Sequence, residues 1–304
     1  MSEIVEPHKF LNPQALTKLT GLHLRSKRVV EGHVAGAHRS PYQGFSVEFS
    51  EHREYTPGDD IRHLDWKLFG RTDKYYLKRY EDETNLLCYL VVDVSESMRY
   101  QSARTPVSKL HYACSLAATL GWLVLQKQDA VALLTFDEVI RQWLNPSSGA
   151  AHLKQILQIL ETAQPRQKTR LKAVLQEVAS RLTRRGIVIV ISDYFDDPAS
   201  IFAGLRSIKQ RHHDVIALQV MDRAEIDFPF QSPTRFHGLE QNPTEIVDPL
   251  SLGKAYRKTI QDFLRSMRLG CADLAIEYSL CRTDEDLGTR LASFLNSRQA
   301  SVRK

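Results

Sequence analysis

Residues 86–98 read LLCYLVVDVSESM. An apolar run from Leu86 to Val92 ends on Asp93, and the hydroxyls of Ser95 and Ser97 follow at alternate positions. A strand that is apolar on both faces belongs inside a parallel sheet, where helices cover it above and below. Open sheets of that kind bind ligands outside the carboxyl ends of their strands. The stretch therefore places an acid and two hydroxyls where such a fold puts its chemistry.

The rest of the chain from residue 86 keeps the same rhythm. Thr105-Pro106 offers a cap and a first-turn proline for a helix with Leu110, Ala113, Cys114, Ala117, Leu120, Gly121 and Val124 on one face. AVALLTF is the next strand, and VIRQWL is an edge strand reached by a hairpin. The helical patterns HLKQILQILETA and LKAVLQEVASRL precede the strand IVIVISDY, the helix SIFAGLRSIKQR and the strand DVIALQVMD. Residues 221–249 interrupt the pattern with four prolines and read as a β-hairpin around Gln241-Asn242-Pro243. A long helix, the strand LAIEYSLCR and a closing helix complete the chain. Alternating strands and helices predict an α/β protein with a doubly wound, mostly parallel sheet.

Before residue 86 the signals differ. A leucine-spaced helix follows Asn12-Pro13, and FSVEFSEHREY alternates as a half-buried strand. TPGDD is a turn, with Asp59 or Asp60 capping the short apolar-periodic piece Ile61, Leu64, Leu68, and KYYLKRYEDE is a further strand. The expected division is residues 1–84 as an N-terminal helix and signature segment in a small β-rich layer, and 85–304 as the α/β domain. Residues 221–249 are inserted in that domain and are expected to pack on the layer.

The 304 residues hold 41 Lys+Arg against 36 Asp+Glu, spread along the chain, which gives no clustered basic face for nucleic acid. Cys88, Cys114, Cys271 and Cys281 lie far apart in apolar contexts and read as reduced core residues. No leader is seen, and the longest apolar stretch, residues 116–125, is too short to span a bilayer, so a cytoplasmic location is expected. His212 and His213 read as surface residues beside a strand.

Asp93, Ser95, Ser97, Thr169 and Asp193 form a set of hard oxygen donors at expected strand ends and loops, which suits Mg²⁺, with Mn²⁺ as an alternative. Taken alone, the first three are equally a turn in which Asp and Ser bond nearby backbone N–H groups. The later Thr169 and Asp193 favour the metal reading. These residues resemble the metal-ion-dependent adhesion site of von Willebrand factor A-type domains, although Lys168 stands where that family usually has glycine. The resemblance implies that the hydroxyls ligate a metal directly, that the aspartates act through water, and that a partner's acidic residue completes the shell.

The segment HREYTPGDDIRHLDW (52–66), running on into VVDVSESM, resembles the domain-of-unknown-function family number 58, which joins an R-x-Y-x-P-G-D-D-x-R-x-x-D-W signature to an A-type domain. That likeness implies a protein-interaction module working with a MoxR-type AAA+ ATPase. Arg53, Tyr55, Asp59, Asp60, Arg62, Asp65, Trp66 and Arg71 of the signature fit an internal network of ion pairs and stacked rings, or else a partner-binding or catalytic surface. An alternative function is a strand-end, metal-dependent phosphohydrolase with Asp93 as nucleophile, but Ser95 stands where haloacid-dehalogenase-like phosphatases carry an acid/base aspartate. Nucleic-acid binding is the third class and lacks a recognition motif.

Overall fold

The computed structural model describes residues 8–24, 47–56, 64–82, 86–166, 168–231, 234–236, 245–247 and 249–302. The chain divides into two compact units, Met1–Lys27 with Leu86–Lys304, and Arg28–Asn85. Helix α1 (Pro13–Lys18) goes with the larger unit, not with the strand layer where the sequence reading placed it. Leu11, Leu16 and Leu19 join the core that holds Leu291 and Leu295, and the Lys18 ammonium donates to Asp286 at 2.7 Å.

In the smaller unit, β1 (Val47–Glu54) pairs antiparallel with β2 (Tyr76–Asp82), with an irregular register between Phe49 and Glu51. Between them lies α2 (Trp66–Thr72). Its N-cap is Asp65, whose Oδ1 accepts from the backbone N–H groups of Lys67 at 3.0 Å and Leu68 at 3.1 Å. The cap thus lies later in the chain than the Asp59 or Asp60 expected from sequence; these two and Arg62 lie outside the described residues. Phe69 stacks on Tyr75 with ring centroids 4.5 Å apart, while Trp66 is 63% exposed.

The larger unit is built on β3 (Leu87–Asp93), β4 (Ala130–Phe136), β5 (Ile140–Ser147), β6 (Ile187–Ser192), β7 (Asp214–Met221) and a strand at Glu277–Arg282. A separate short hairpin, β8 (Thr234–Phe236) with β9 (Glu245–Val247), falls in the proline-rich segment, so the last strand of the main sheet is β10. The order β10-β7-β6-β3-β4-β5 is parallel except for the antiparallel edge strand β5. This is the doubly wound, mostly parallel α/β architecture expected from the sequence.

Side chains alternate across a strand, and both faces of β3 are buried. Cys88, Leu90 and Val92 join the core under α3 (Lys109–Leu125), α4 (Ala150–Thr162) and α9 (Leu287–Val302). Leu87, Tyr89 and Val91 join the opposite core under α5 (Leu171–Arg181), α6 (Pro198–Gln210) and α8 (Pro249–Asp273). The connection leaving β3 runs through α3 on one face, and that leaving β6 runs through α6 on the other. The carboxyl ends of β3 and β6 therefore border the crevice where the winding reverses.

Two local expectations change. Helix α3 starts at Lys109 behind Ser108, whose Oγ accepts from the His111 N–H at 3.2 Å, and not at Thr105-Pro106. The Thr105 hydroxyl is taken by Asp222, at 2.7 Å. His213 is buried edge-on against Tyr89 and is no surface residue, and burial holds its pKa below the ordinary value. His212 is exposed.

Candidate functional site

Strand β3 delivers Asp93 to the carboxyl edge with no exposed surface. The chain then turns on the Asp93 side chain, whose Oδ1 accepts from the Ser95 N–H at 2.9 Å, and enters a short 3-10 turn over Glu96–Arg99. That turn sets the Ser95 and Ser97 hydroxyl oxygens 3.1 Å apart. From the loop before α5, the Thr169 hydroxyl reaches Asp93 at 3.3 Å from Oδ2 and 3.4 Å from Oδ1. Four of the five expected residues are thus linked by hydrogen-bond contacts.

Asp193 follows β6 and is 1% exposed. Its Oδ1 accepts from the Phe195 N–H at 3.1 Å, and its Oδ2 accepts from the Lys109 ammonium at 2.8 Å. Its charge is felt at Asp93. Burial first, and the Asp193 carboxylate second, push the Asp93 pKa from 3.8 up to about 7, against the opposing hydrogen bonds from Ser192 and Ser95.

Three contributors escape a motif-based reading. Ser192 donates to Asp93 Oδ2 at 2.6 Å, and its oxygen accepts from the Tyr194 N–H at 2.9 Å. Its sequence signal is only a serine placed before Asp193. Lys109 is wholly buried and bridges Asp193 to Glu225, which it meets at 2.6 Å. Its ammonium lies 4.7 Å from the Phe195 ring centroid, a cation–π contact. Burial disfavours the Lys109 charge, but the two acids outweigh burial and hold its pKa above the ordinary lysine value. Glu225 is raised by burial, against the pull of Lys109.

Glu225 owes its position to α7 (Arg223–Asp227), which opens with a capping box. The Asp222 carboxylate accepts from the Ala224 N–H at 2.8 Å, and Glu225 Oε2 accepts from the Asp222 N–H at 2.8 Å. The pattern D-R-A-E at 222–225 was the available signal for this short helix. It leaves Glu225 Oε1 for Lys109.

Among the described residues no group of three or more His, Cys, Asp or Glu side chains could hold a metal. The candidate set is of another kind, with two buried aspartates and three hydroxyls. Its oxygens suit a hard dication, and the Ser95–Ser97 contact can be donated by either hydroxyl, so both oxygens have lone pairs to offer. The donors fit the metal that the sequence reading expects.

The family model described as "Protein of unknown function DUF58" matches residues 51–268 of the chain. The chain belongs to the DUF58 family. Two curated relatives are the uncharacterized protein Mb1516 of Mycobacterium bovis and the uncharacterized protein Rv1480 of Mycobacterium tuberculosis. Each is 26% identical over 299 residues, covering 95% of this chain and 91% of the relative. Among solved structures, the conserved hypothetical protein BatB of Bacteroides thetaiotaomicron aligns at a TM-score of 0.48 and 14% identity, over 72% of this chain and 100% of that one. The SpRpn10 VWA domain aligns at 0.40 and 8% identity, over 71% and 95%. Among the described residues, no helix of this DUF58 protein is long and apolar enough to cross a membrane.

Proposed function

We propose that this DUF58 protein is a metal-dependent protein-interaction module, in which Asp93, Ser95, Ser97, Thr169 and Asp193 hold Mg²⁺ or Mn²⁺ at the crevice between β3 and β6. The observation that carries the reading is the convergence of the Asp93 carboxylate with the Ser95, Ser97 and Thr169 hydroxyls at a buried strand end. A bound dication would supply an open coordination position for a carboxylate from a partner. The chain's own residues do the rest. Ser192 and the Ser95 N–H fix the Asp93 rotamer, Phe195 and Lys109 fix Asp193, and the loop at 168–170 presents Thr169.

The partner is proposed to be acidic at the point of contact. Thr169 lies between the exposed side chains of Arg166, Lys168, Arg170 and Lys172, a run of cations that favours an incoming anion. A AAA+ ATPase of the MoxR type in the cytoplasm is the proposed partner. The four buried, unpaired cysteines fit a reducing compartment.

The test is affinity capture of a MoxR-type ATPase by the full chain with Mg²⁺, with a chelator, and with Asp93→Ala. Recovery only with metal and intact Asp93 supports the proposal. Equal recovery in all three arms refutes the metal bridge.

A further inference from the structure

We infer that Lys109 and Glu225 form an internal charge pair that sets how tightly the strand-end site binds a divalent cation. The inference rests on the metal reading of that site and concerns two residues outside the ligand set. The Lys109 ammonium is a fixed cation with no exposed surface, 2.8 Å from Asp193 Oδ2 and 2.6 Å from Glu225 Oε1. An ammonium on Asp193 competes electrostatically with any second cation that uses the same carboxylate. Glu225 cancels that ammonium, so the formal charge facing the crevice remains that of Asp93 and Asp193.

The surroundings make the pair rigid. Lys109 occupies the first position of α3, where the Ser108 cap fixes the backbone, and its N–H donates to the Tyr100 carbonyl at 3.0 Å. Glu225 is held by its second oxygen on the Asp222 N–H. The Phe195 ring covers the ammonium. With water excluded, the two charges act on the site with little screening. Asp193 keeps a second lone pair on each oxygen, so its water-mediated role toward a metal persists beside Lys109.

Charge bookkeeping gives signs that a purely structural pair would not. Lys109→Met adds a net negative charge beside the site and should tighten Mg²⁺ and Mn²⁺ binding by about tenfold or more, the scale on which one nearby charge shifts an ionic equilibrium. Glu225→Gln leaves the ammonium uncompensated and should weaken binding by a similar factor. The double variant Lys109→Met/Glu225→Gln restores the formal charge and should return to within about threefold of the parent. Both metals are titrated calorimetrically into chelator-stripped full chain, with circular dichroism confirming each fold.

Opposite single effects that cancel in the double variant support the inference. Metal binding by the parent and all folded variants within about twofold overturns it and leaves the metal site standing. Absence of binding by the parent and every variant overturns the metal reading, and the inference with it. Binding by Lys109→Met alone supports the inference while overturning metal occupancy in the parent. If Lys109→Met does not fold, Glu225→Gln and the double variant carry the same test.

Discussion

Asp93→Asn should stabilise the metal-free protein at alkaline pH. The parent carboxyl titrates near 3.8 when unfolded and at about 7 when folded. An acid raised on folding costs nothing below its unfolded value, and the cost grows as pH climbs through the window up to the folded value. Across that window of about three pH units the cost reaches about 4 kcal/mol, at about 1.4 kcal/mol per unit. At pH 5 less than half of it has accrued, and at pH 8 nearly all.

Asparagine removes the titration. Its carbonyl oxygen can keep the Ser95 N–H, but its amide then faces the Ser192 hydroxyl, which must turn to accept, at a cost of about 1–2 kcal/mol. The net gain at pH 8 is then about 2–3 kcal/mol, and the difference from the parent grows by roughly 2–3 kcal/mol between pH 5 and pH 8. Urea unfolding of both proteins in chelator at the two pH values measures it. A difference that does not change with pH would refute the electrostatic account of Asp93.

Other perturbations act at separate points. Arg298 is buried near the opposite end of the sheet, with its guanidinium on the buried Asp214 and the half-buried Glu277, so Arg298→Met should cost about 3–5 kcal/mol in urea unfolding by removing the cation that the two acids share. A loss below about 1 kcal/mol would show that the two acids find other partners. Thr105→Val removes the 2.7 Å hydroxyl bond to Asp222 and should cost about 1–3 kcal/mol, measured the same way. Thr169→Val should cost little stability, because that residue is half-buried, but should lower Mg²⁺ affinity about tenfold or more in calorimetry; unchanged affinity would remove Thr169 from the ligand set.

The sheet was legible because its strands are short apolar runs with parallel-sheet composition, and β3 and β6 end on polar residues that announce the carboxyl edge. What escaped was set by contacts between distant residues. Thr105-Pro106 has the local form of a helix start, yet its hydroxyl belongs to Asp222, 117 residues away, and the helix begins behind Ser108. His213 is polar and stands at a helix-to-strand junction, which looks like surface until Tyr89 is packed over it. Lys109 resembles an ordinary first-turn lysine. Only the folded chain brings Asp193 and Glu225 to it from β6 and α7.

The carboxyl edge explains why Asp93 differs from its neighbours. Four strands, β3, β4, β6 and β7, are each completed or followed by a buried aspartate: Asp93, Asp137, Asp193 and Asp222. Asp137 receives Arg141 at 2.7 Å, and Asp193 receives Lys109, an ammonium it shares with Glu225. Asp222 has neutral donors, but the Ser102 and Ala224 N–H groups and the Thr105 hydroxyl together outweigh burial and hold its pKa below the ordinary carboxylate value. Asp93 also has neutral donors, but burial first and the Asp193 charge second outweigh them and push its pKa up to about 7. A fold that satisfies three such acids internally leaves the fourth with an unmet demand for positive charge, beside the hydroxyls of Ser95, Ser97 and Thr169. An external cation at that point would relieve the repulsion between Asp93 and Asp193, and for this reason metal binding and acid titration should report on the same carboxylate.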